Sequence, residues 1–171
     1  TLTANWNGNT YTAESTMQPL VPIDSFSRQS IASFFGPPNP GAPQRFWVYV
    51  NYTDPGIRKN FYAIRTTYLD STDTGLVSIT DYSIADDALA AGIATRSFAT
   101  FRPFEPGDTL SVELASLEAA THLYFKTLQD AIGGAGAGSA APANPTTNFS
   151  RGALGYFGAW SKQTQTYVVR P

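Results

Sequence analysis

The sequence contains no cysteine, a single histidine and few charged residues. Without cysteine the chain has no disulfide, no thiolate metal site and no cysteine nucleophile. Charged residues make up 14% of the chain, well below the roughly 25% of an average soluble domain. The 11 basic residues are scattered and the net charge is −2. These values argue against a nucleic-acid partner, because neutralising phosphates requires a concentrated basic surface.

Long hydrophobic runs are absent as well. No stretch reaches the roughly 18 consecutive apolar residues of a transmembrane helix. The chain begins with Thr1 and has neither a start methionine nor a signal peptide. Either processing removed them or the chain is a fragment of a longer one, and we expect a fragment. Aromatic residues, by contrast, reach 13%. Together with many Gly, Pro, Thr, Ser and Asn residues, they give a composition typical of extracytoplasmic β domains.

Alternating apolar and polar residues predict a series of β-strands. The clearest is 45–53, with the sequence RFWVYVNYT. A turn at 54–56 and a second alternating segment at 60–69 follow it, which predicts a hairpin. Further strands are predicted at 9–15, 23–31, 76–82, 95–101, 109–114 and 164–169. Loops are predicted at 36–43 and 133–145, and one helical turn at 86–92.

The apolar period changes to that of a helix at about 116–132. Ser116 is a predicted N-cap, and Gly133 with Gly134 should end the helix. The residues predicted to share its apolar face are Leu117, Ala120, Tyr124, Leu128 and Ala131. The sequence therefore predicts a mostly β fold, a β-sandwich or incomplete barrel of about 7–8 strands with one packed α-helix.

Several stretches resemble a known family in the same order along the chain. They are 8–13, 21–25, 54–62, 104–109, the helical 124–128 and, most distinctively, PTTNFSRGALGYFGA at 145–159. The chain resembles the C-terminal half of a Bacteroidota family of outer-membrane lipoproteins of unknown function, whose genes often lie beside TonB-dependent transporters. By this resemblance, residues 1–15 are the last strand of an otherwise missing N-terminal immunoglobulin-like domain, and 16–171 form a β-rich domain with one helix.

The resemblance also implies a location and a function. It implies a cell-surface lipoprotein of the outer membrane, anchored by a lipid outside these residues. It implies a non-catalytic accessory or ligand-capture subunit that works with a TonB-dependent transporter or another surface protein. Two alternatives remain open: an enzyme acting on glycans or peptides, and a structural module of a cell-surface or secretion assembly.

The candidates for acid–base chemistry lack a supporting motif. His122 shares a helical face with Glu118, Lys126 and Gln129, which predicts a solvated side chain without the partner and pocket of a general base. Glu105, Asp108 and Glu113 could be imagined as a glycosidase carboxylate pair, but such a pair needs a set separation across a cleft. The sequence therefore predicts no catalytic residue and no enzyme.

An acidic cluster is the strongest candidate for a metal site. Its members are Asp70, Asp73, Asp81, Asp86 and Asp87. Asp-rich loops supply the oxygen ligands that calcium requires, but the spacing matches no calcium loop, and turns favour Asp on other grounds. We therefore predict no metal and no cofactor, with calcium at Asp70–Asp87 left open and the ligand-binding residues unknown.

Aromatic and glycine residues complete the candidates. Trp6, Trp47, Tyr49 and Trp160 could stack on a sugar, or could equally pack between layers of the fold. The three glycines of the distinctive stretch are Gly152, Gly155 and Gly158. They lack the lysine and the strand–loop–helix context of a phosphate loop, so they are predicted to serve backbone turning and close packing.

Overall fold

The computed structural model describes residues 1–32, 36, 41–72, 75–87, 92–133 and 144–171. These residues form nine β-strands, one α-helix and a short 3₁₀ turn at Ser150–Gly152. The strands are β1 Leu2–Trp6, β2 Asn9–Ala13, β3 Ser25–Ser30, β4 Phe46–Thr53, β5 Phe61–Thr72, β6 Gly75–Asp86, β7 Ala94–Phe98, β8 Thr109–Leu117 and β9 Ser161–Val168. The helix, α1, is Ala119–Gly133. The predicted mostly β fold with one packed helix is confirmed.

All strand pairs are antiparallel, and they form three sheets. The strand orders are β1-β2, β3-β4-β7 and β6-β5-β8-β9. The three-stranded and four-stranded sheets pack face to face around one hydrophobic core. Its central members are fully buried and come from β4, β5 and β8: Val48, Val50, Tyr52, Tyr62, Ile64, Leu110, Val112 and Leu114. The architecture is therefore a β-sandwich.

The predicted hairpin between 45–53 and 60–69 is wrong. β4 pairs with β3 and β7, whereas β5 pairs with β6 and β8. The connection at 54–60 carries the chain from one sheet to the other, so the apolar faces of β4 and β5 pack on each other. The rings of Tyr52 and Tyr62, for example, lie 4.9 Å apart across the core. Burying both apolar faces at once favours this crossing over a hairpin, which would place β4 and β5 side by side in one sheet.

Helix α1 lies on the outer face of the four-stranded sheet, against β5 and β6. The predicted N-cap is wrong, because Ser116 lies within β8, opposite Ser161 of β9. The predicted apolar face is only partly correct. Tyr124 and Leu128 are half-buried as expected, but Ala120 is exposed and the buried Thr121 lies on the sheet side. The strand ladder continues to Leu117, so the helix starts later than its periodicity indicates.

Residues 1–15 contain a two-stranded hairpin, β1-β2, which protrudes from the sandwich. It is attached through a bridge between Ala13 and Phe149 and through the main-chain N–H of Thr12, which donates to the Ser150 hydroxyl at 2.8 Å. That these residues complete a preceding immunoglobulin-like domain stays a prediction. Of the predicted loop at 36–43, the described residues 36 and 41–43 lie in no helix or strand. Most of the predicted loop at 133–145 and of the predicted helical turn at 86–92 lies outside the described residues. Within the described chain, no helix has the length and apolar character needed to cross a membrane.

Candidate functional site

A cavity opens beside the edges of the two main sheets. β6 is the last strand of the four-stranded sheet, and β7 is the last strand of the three-stranded sheet. A cavity of about 590 Å³ lies between β6 and the segment that follows β7. A second cavity of about 310 Å³ lies beside it, between β6 and β7 themselves, and shares Ser83, Ile84, Thr100 and Phe101 with the first. We call the two together the edge cleft.

A carboxylate with two hydroxyl partners forms one wall of the edge cleft. Oδ2 of Asp81 accepts a hydrogen bond from the Tyr68 hydroxyl at 3.1 Å and another, shorter one from the Thr100 hydroxyl. Burial, followed by the nearby Asp81 charge, raises the pKa of Tyr68. The Tyr68 hydroxyl therefore keeps its proton at neutral pH and acts as a hydrogen-bond donor.

An arginine–carboxylate pair lies next to this wall. The two guanidinium nitrogens of Arg102 contact the two carboxylate oxygens of Asp70, one of them at 2.6 Å. The guanidinium also lies 5.1 Å from the centre of the Tyr68 ring. The hydrogen bond to Asp70 raises the pKa of Arg102 even though burial lowers it. A bidentate pair of this kind fixes the position of both side chains.

The rim of the edge cleft is aromatic. Phe101 is 77% exposed and lies 5.1 Å from Phe98, measured between ring centres. Tyr82 lines the larger cavity together with Gln129 of α1, and its hydroxyl has no hydrogen-bond partner among the described residues. Burial raises the pKa of Tyr82, so this hydroxyl stays protonated. An exposed phenylalanine beside a cavity with hydrogen-bonding walls is typical of a ligand site.

The charged groups at the edge cleft are balanced by their neighbours. Arg102 and Asp70 neutralise each other, and Asp81 accepts from two neutral hydroxyls. Nucleophilic catalysis requires a nucleophile with a base in reach. The hydroxyl–carboxylate contacts in this cleft are those of Thr100 and Tyr68 with Asp81, and no histidine or lysine lines it in the described part of the chain. Among the described residues, no three or more His, Asp or Glu side chains are grouped so that they could hold a metal ion.

His122 lies elsewhere, and its predicted solvation is wrong. The imidazole is half-buried and stacks on Phe61 of β5, with ring centres 4.6 Å apart. Burial lowers the pKa of His122. The helix starts at Ala119 and lies close to the sheet, so the side of α1 that bears His122 is covered by the end of β5.

The acidic cluster does not converge on one point. Asp70 pairs with Arg102, Asp81 lies in the edge cleft, and Asp86 is 3.7 Å from Lys59. Asp87 is buried and accepts the main-chain N–H of Asn60 at 2.7 Å. Asp73 lies outside the described residues. The described carboxylates are each engaged with a different partner.

The imagined glycosidase carboxylates are separated as well. Glu105 forms an exposed ion pair with Arg45 at 3.2 Å, and Asp108 accepts the main-chain N–H of Glu105. Glu113 is buried on the outer face of the four-stranded sheet, between Arg65 at 2.9 Å and Lys162 at 2.7 Å. None of the three lines the edge cleft.

The candidate aromatic residues have three different environments. Trp6 is 76% exposed on the hairpin. Tyr49 is buried beneath the Arg96 guanidinium, which lies 3.5 Å from its ring centre, and Trp47 packs edge-on against Phe98. Trp160 belongs to an aromatic cluster between the sheet and α1, whose other members are Tyr82, Tyr124, Phe125 and Tyr156.

The packing role predicted for the glycines is confirmed most clearly at Gly158. A Cβ atom there would lie 2.5 Å from Nε1 of Trp160 and 3.1 Å from the Thr121 hydroxyl. Gly152 and Gly155 have φ angles of 66° and 110°, a backbone conformation that favours glycine. Gly152 and Gly155 therefore allow the chain to turn, and Gly158 lets it approach α1 closely.

Sequence reasoning missed the residues that form the edge cleft. Thr100, Phe101 and Arg102 follow a short strand in an unremarkable stretch, and Tyr68 and Asp81 are 13 positions apart. The sequence suggests Asp81 only as a metal ligand, and no local pattern in 99–102 indicates a binding site.

The fold and the edge cleft together define a mostly β, sandwich-type domain with an open cavity between the edges of its two main sheets. The chain belongs to the domain family of unknown function DUF4249, whose model matches residues 1–166. No curated protein and no solved structure matches the chain.

Proposed function

We propose that this protein is a non-catalytic ligand-capture subunit and that the edge cleft is its binding site. The observation that carries the proposal is that an exposed aromatic side chain borders a cavity whose charged side chains already bond to protein partners. Phe101 offers an apolar surface, while Asp81 and Arg102 are held in place by Tyr68, Thr100 and Asp70. Fixed polar groups around an apolar contact bind a ligand with defined orientation and no change of protonation.

The place of action that we propose is the surface of the bacterial outer membrane, with a TonB-dependent transporter as the partner. The support is the sequence resemblance, in particular the stretch 145–159. In the structure this stretch packs against α1, the end of β2 and the aromatic cluster, so the features that carry the resemblance are part of the folded domain. A lipid anchor would lie outside these residues.

Co-purification tests the proposed partnership. The full-length protein, tagged in its own host and isolated from gently solubilised membranes, should carry a TonB-dependent transporter in a stable ratio. A stable interface typically buries more than about 1,200 Å² of surface. Recovery as a free monomer under every mild detergent and salt condition would remove the transporter from the proposal and leave independent ligand capture.

Substrate turnover tests the non-catalytic part of the proposal. A panel of glycan, ester and peptide substrates should show no turnover by the purified protein. Asp81→Asn is the matched variant, because it keeps the shape of the side chain and removes its charge. Turnover by the native protein that is lost in Asp81→Asn would favour the enzyme alternative over ligand capture.

A further inference from the structure

The edge of β6 that faces away from β5 directs main-chain groups into the edge cleft. Asp87 donates its main-chain N–H to Asn60 at 3.3 Å, which continues the β5-β6 ladder by one hydrogen-bonded pair. In an antiparallel ladder, hydrogen-bonded and non-hydrogen-bonded pairs alternate. The main-chain groups of Ser83 therefore point toward β5, and those of Tyr82 and Ile84 point away from it, toward the edge cleft. No other described strand pairs with this edge of β6.

The edge of β7 that faces away from β4 also directs main-chain groups outward. Asp54 donates its N–H to Ile93 at 3.3 Å, and Ala99 donates to Val48 at 2.9 Å. These two bonds fix the alternation along β4-β7, so the main-chain groups of Arg96 and Phe98 point away from β4. Arg96, Phe98 and Ile84 all line the smaller cavity. Two strand edges that pair with no other described strand therefore border one cavity.

An extended chain could continue the four-stranded sheet at β6. Hydrogen-bonded strands lie about 4.8 Å apart in the plane of a sheet, and the outward main-chain groups of Tyr82 and Ile84 supply the bonds that such a chain requires. Its side chains would alternate in direction, and those on the core side of the sheet would face the cavity that Thr100 and Phe101 line.

The β6 edge also lacks the features that normally prevent such pairing. Proteins protect edge strands with lysines, prolines and bulges. The segment 76–85 contains no lysine, arginine or proline, and its one charged residue, Asp81, is bonded to Tyr68 and Thr100. The pairing of β5 with β6 is regular along its whole length, without a bulge.

We propose that the edge cleft binds an extended peptide segment, which adds as a strand to β6 and is held by main-chain hydrogen bonds. The ligand class is a peptide or an extended protein segment with apolar residues at alternate positions, matching the exposed ring of Phe101. This inference rests on the proposed function, because it names the ligand of the same cleft. Specificity comes from the side chains, and most of the affinity comes from the main chain.

Equilibrium binding with two contrasting probes tests the ligand class. The purified protein is dialysed against a tryptic digest of casein and, separately, against maltoheptaose, and bound molecules are identified by mass spectrometry. We expect a subset of peptides to be retained and Phe101→Ser to weaken their binding at least tenfold. Retention of maltoheptaose alone would overturn the peptide ligand and keep ligand capture in the cleft. If neither probe is retained, both the peptide ligand and the proposed function fail.

Main-chain chemistry tests the mode of binding. A retained peptide is resynthesised with N-methyl groups at alternate residues, in both registers. One register should lose binding at least tenfold and the other should retain it, because strand addition uses the N–H groups of alternate residues only. Equal binding by both N-methylated peptides would overturn strand addition.

A protein variant gives an independent test of the β6 edge. Ile84→Pro removes an outward N–H and is compatible with an edge strand, whereas Ile84→Val keeps the N–H and serves as the control. Peptide binding should be lost in Ile84→Pro and retained in Ile84→Val. Hydrogen exchange provides a readout on the native protein: the amides of Tyr82 and Ile84 should exchange faster than that of Ser83 and become protected on peptide binding. Unchanged exchange at both amides with peptide bound would exclude β6 as the pairing edge.

Discussion

The phenolic hydroxyl of Tyr62, on β5, donates a short hydrogen bond to the carboxylate of Asp54, which directly follows β4. The bond joins the two main sheets at the point where the chain crosses between them. Asp54 is buried and also accepts the N–H groups of Gly56 at 2.8 Å and Gly92 at 3.2 Å, and the side-chain amide of Asn60 at 3.0 Å. One carboxylate thus fixes both the β4-β5 and the β6-β7 connections.

Replacing Asp54 should destabilise the protein strongly. Asp54→Asn loses at least one acceptor for buried donors, and we expect a decrease of about 2–4 kcal/mol in the free energy of unfolding, because hydrogen bonds to charged groups contribute about 1.5–3 kcal/mol each. Urea unfolding measures this change. Asp24→Asn is the matched control, since Asp24 is exposed and accepts one hydroxyl from Thr53. An equal loss in both variants would contradict a special role for Asp54.

Because of the Asp54 carboxylate, we expect the free energy of unfolding to decrease at acidic pH. Burial by itself raises the pKa of Asp54, but the hydrogen bonds from Tyr62, Gly56, Gly92 and Asn60 lower it below its ordinary value of 3.8. The unfolded chain then binds a proton at higher pH than the folded chain does. The stabilisation is complete above pH 3.8 and is lost as pH falls through the pKa of the folded state. Asp54→Asn should lose less stability than the native protein over this range of pH.

Substitutions of Arg65 and Lys162, the two cations beside Glu113, should have non-additive effects on the free energy of unfolding. Arg65 and Lys162 each contact Glu113, and both are about half exposed. Arg65→Met or Lys162→Met alone should cost less than about 1 kcal/mol, because the other cation remains beside the buried carboxylate. The double variant should cost more than the sum, since it leaves Glu113 buried without a counter-charge. A double-mutant cycle from urea unfolding measures the difference, and additive costs would contradict the network.

Gly158→Ala should disturb the aromatic cluster. The new methyl group would lie 2.5 Å from the Trp160 indole, whose ring is held by Tyr156 and Phe125. Overpacking of this kind costs about 1–3 kcal/mol. Gly107→Ala is the control: its φ of 99° makes alanine strained, but no atom lies within 4 Å of the added Cβ. Tryptophan fluorescence should change in Gly158→Ala and not in Gly107→Ala.

We expect His122 to make the free energy of unfolding depend on pH near neutrality as well. Burial against Phe61 lowers the pKa of His122 below its ordinary value of 6.5. As pH falls below 6.5, the unfolded chain takes up a proton before the folded chain does, so stability declines. Because the chain has a single histidine, His122→Phe should remove most of this decline between about pH 7.5 and 5.5. A decline that persists unchanged in His122→Phe would assign it to other groups.

Most strands could be predicted from the sequence because alternation is a local property. The segment 45–53 alternates over its full length, and β4 occupies 46–53 with Val48 and Val50 inside. The helix was predicted for the same reason. Its first turn was misplaced because Ser116 fits two local roles, an N-cap and a strand residue, and only the pairing of β8 with β5 and β9 decides between them.

The candidate site could not be predicted in the same way. The edge cleft depends on which strands end each sheet, and that follows from the crossing of the chain at 54–60 rather than from any single segment. Tyr68, Asp81 and Thr100 come from β5, β6 and the segment after β7, and no short motif links them. His122 is a smaller example, since its burial depends on the docking of α1 against Phe61.

By itself, the sequence determined the β class, the positions of most strands, the single helix and the packing role of Gly158, because backbone conformation and apolar alternation act over a few residues. Tertiary structure alone decided the order of the strands, the open edges of β6 and β7 and the pairing of the charges around them. These features depend on contacts between residues far apart in the chain. Such contacts form only where burying the apolar faces of β4 and β5 against each other brings the two sheets together.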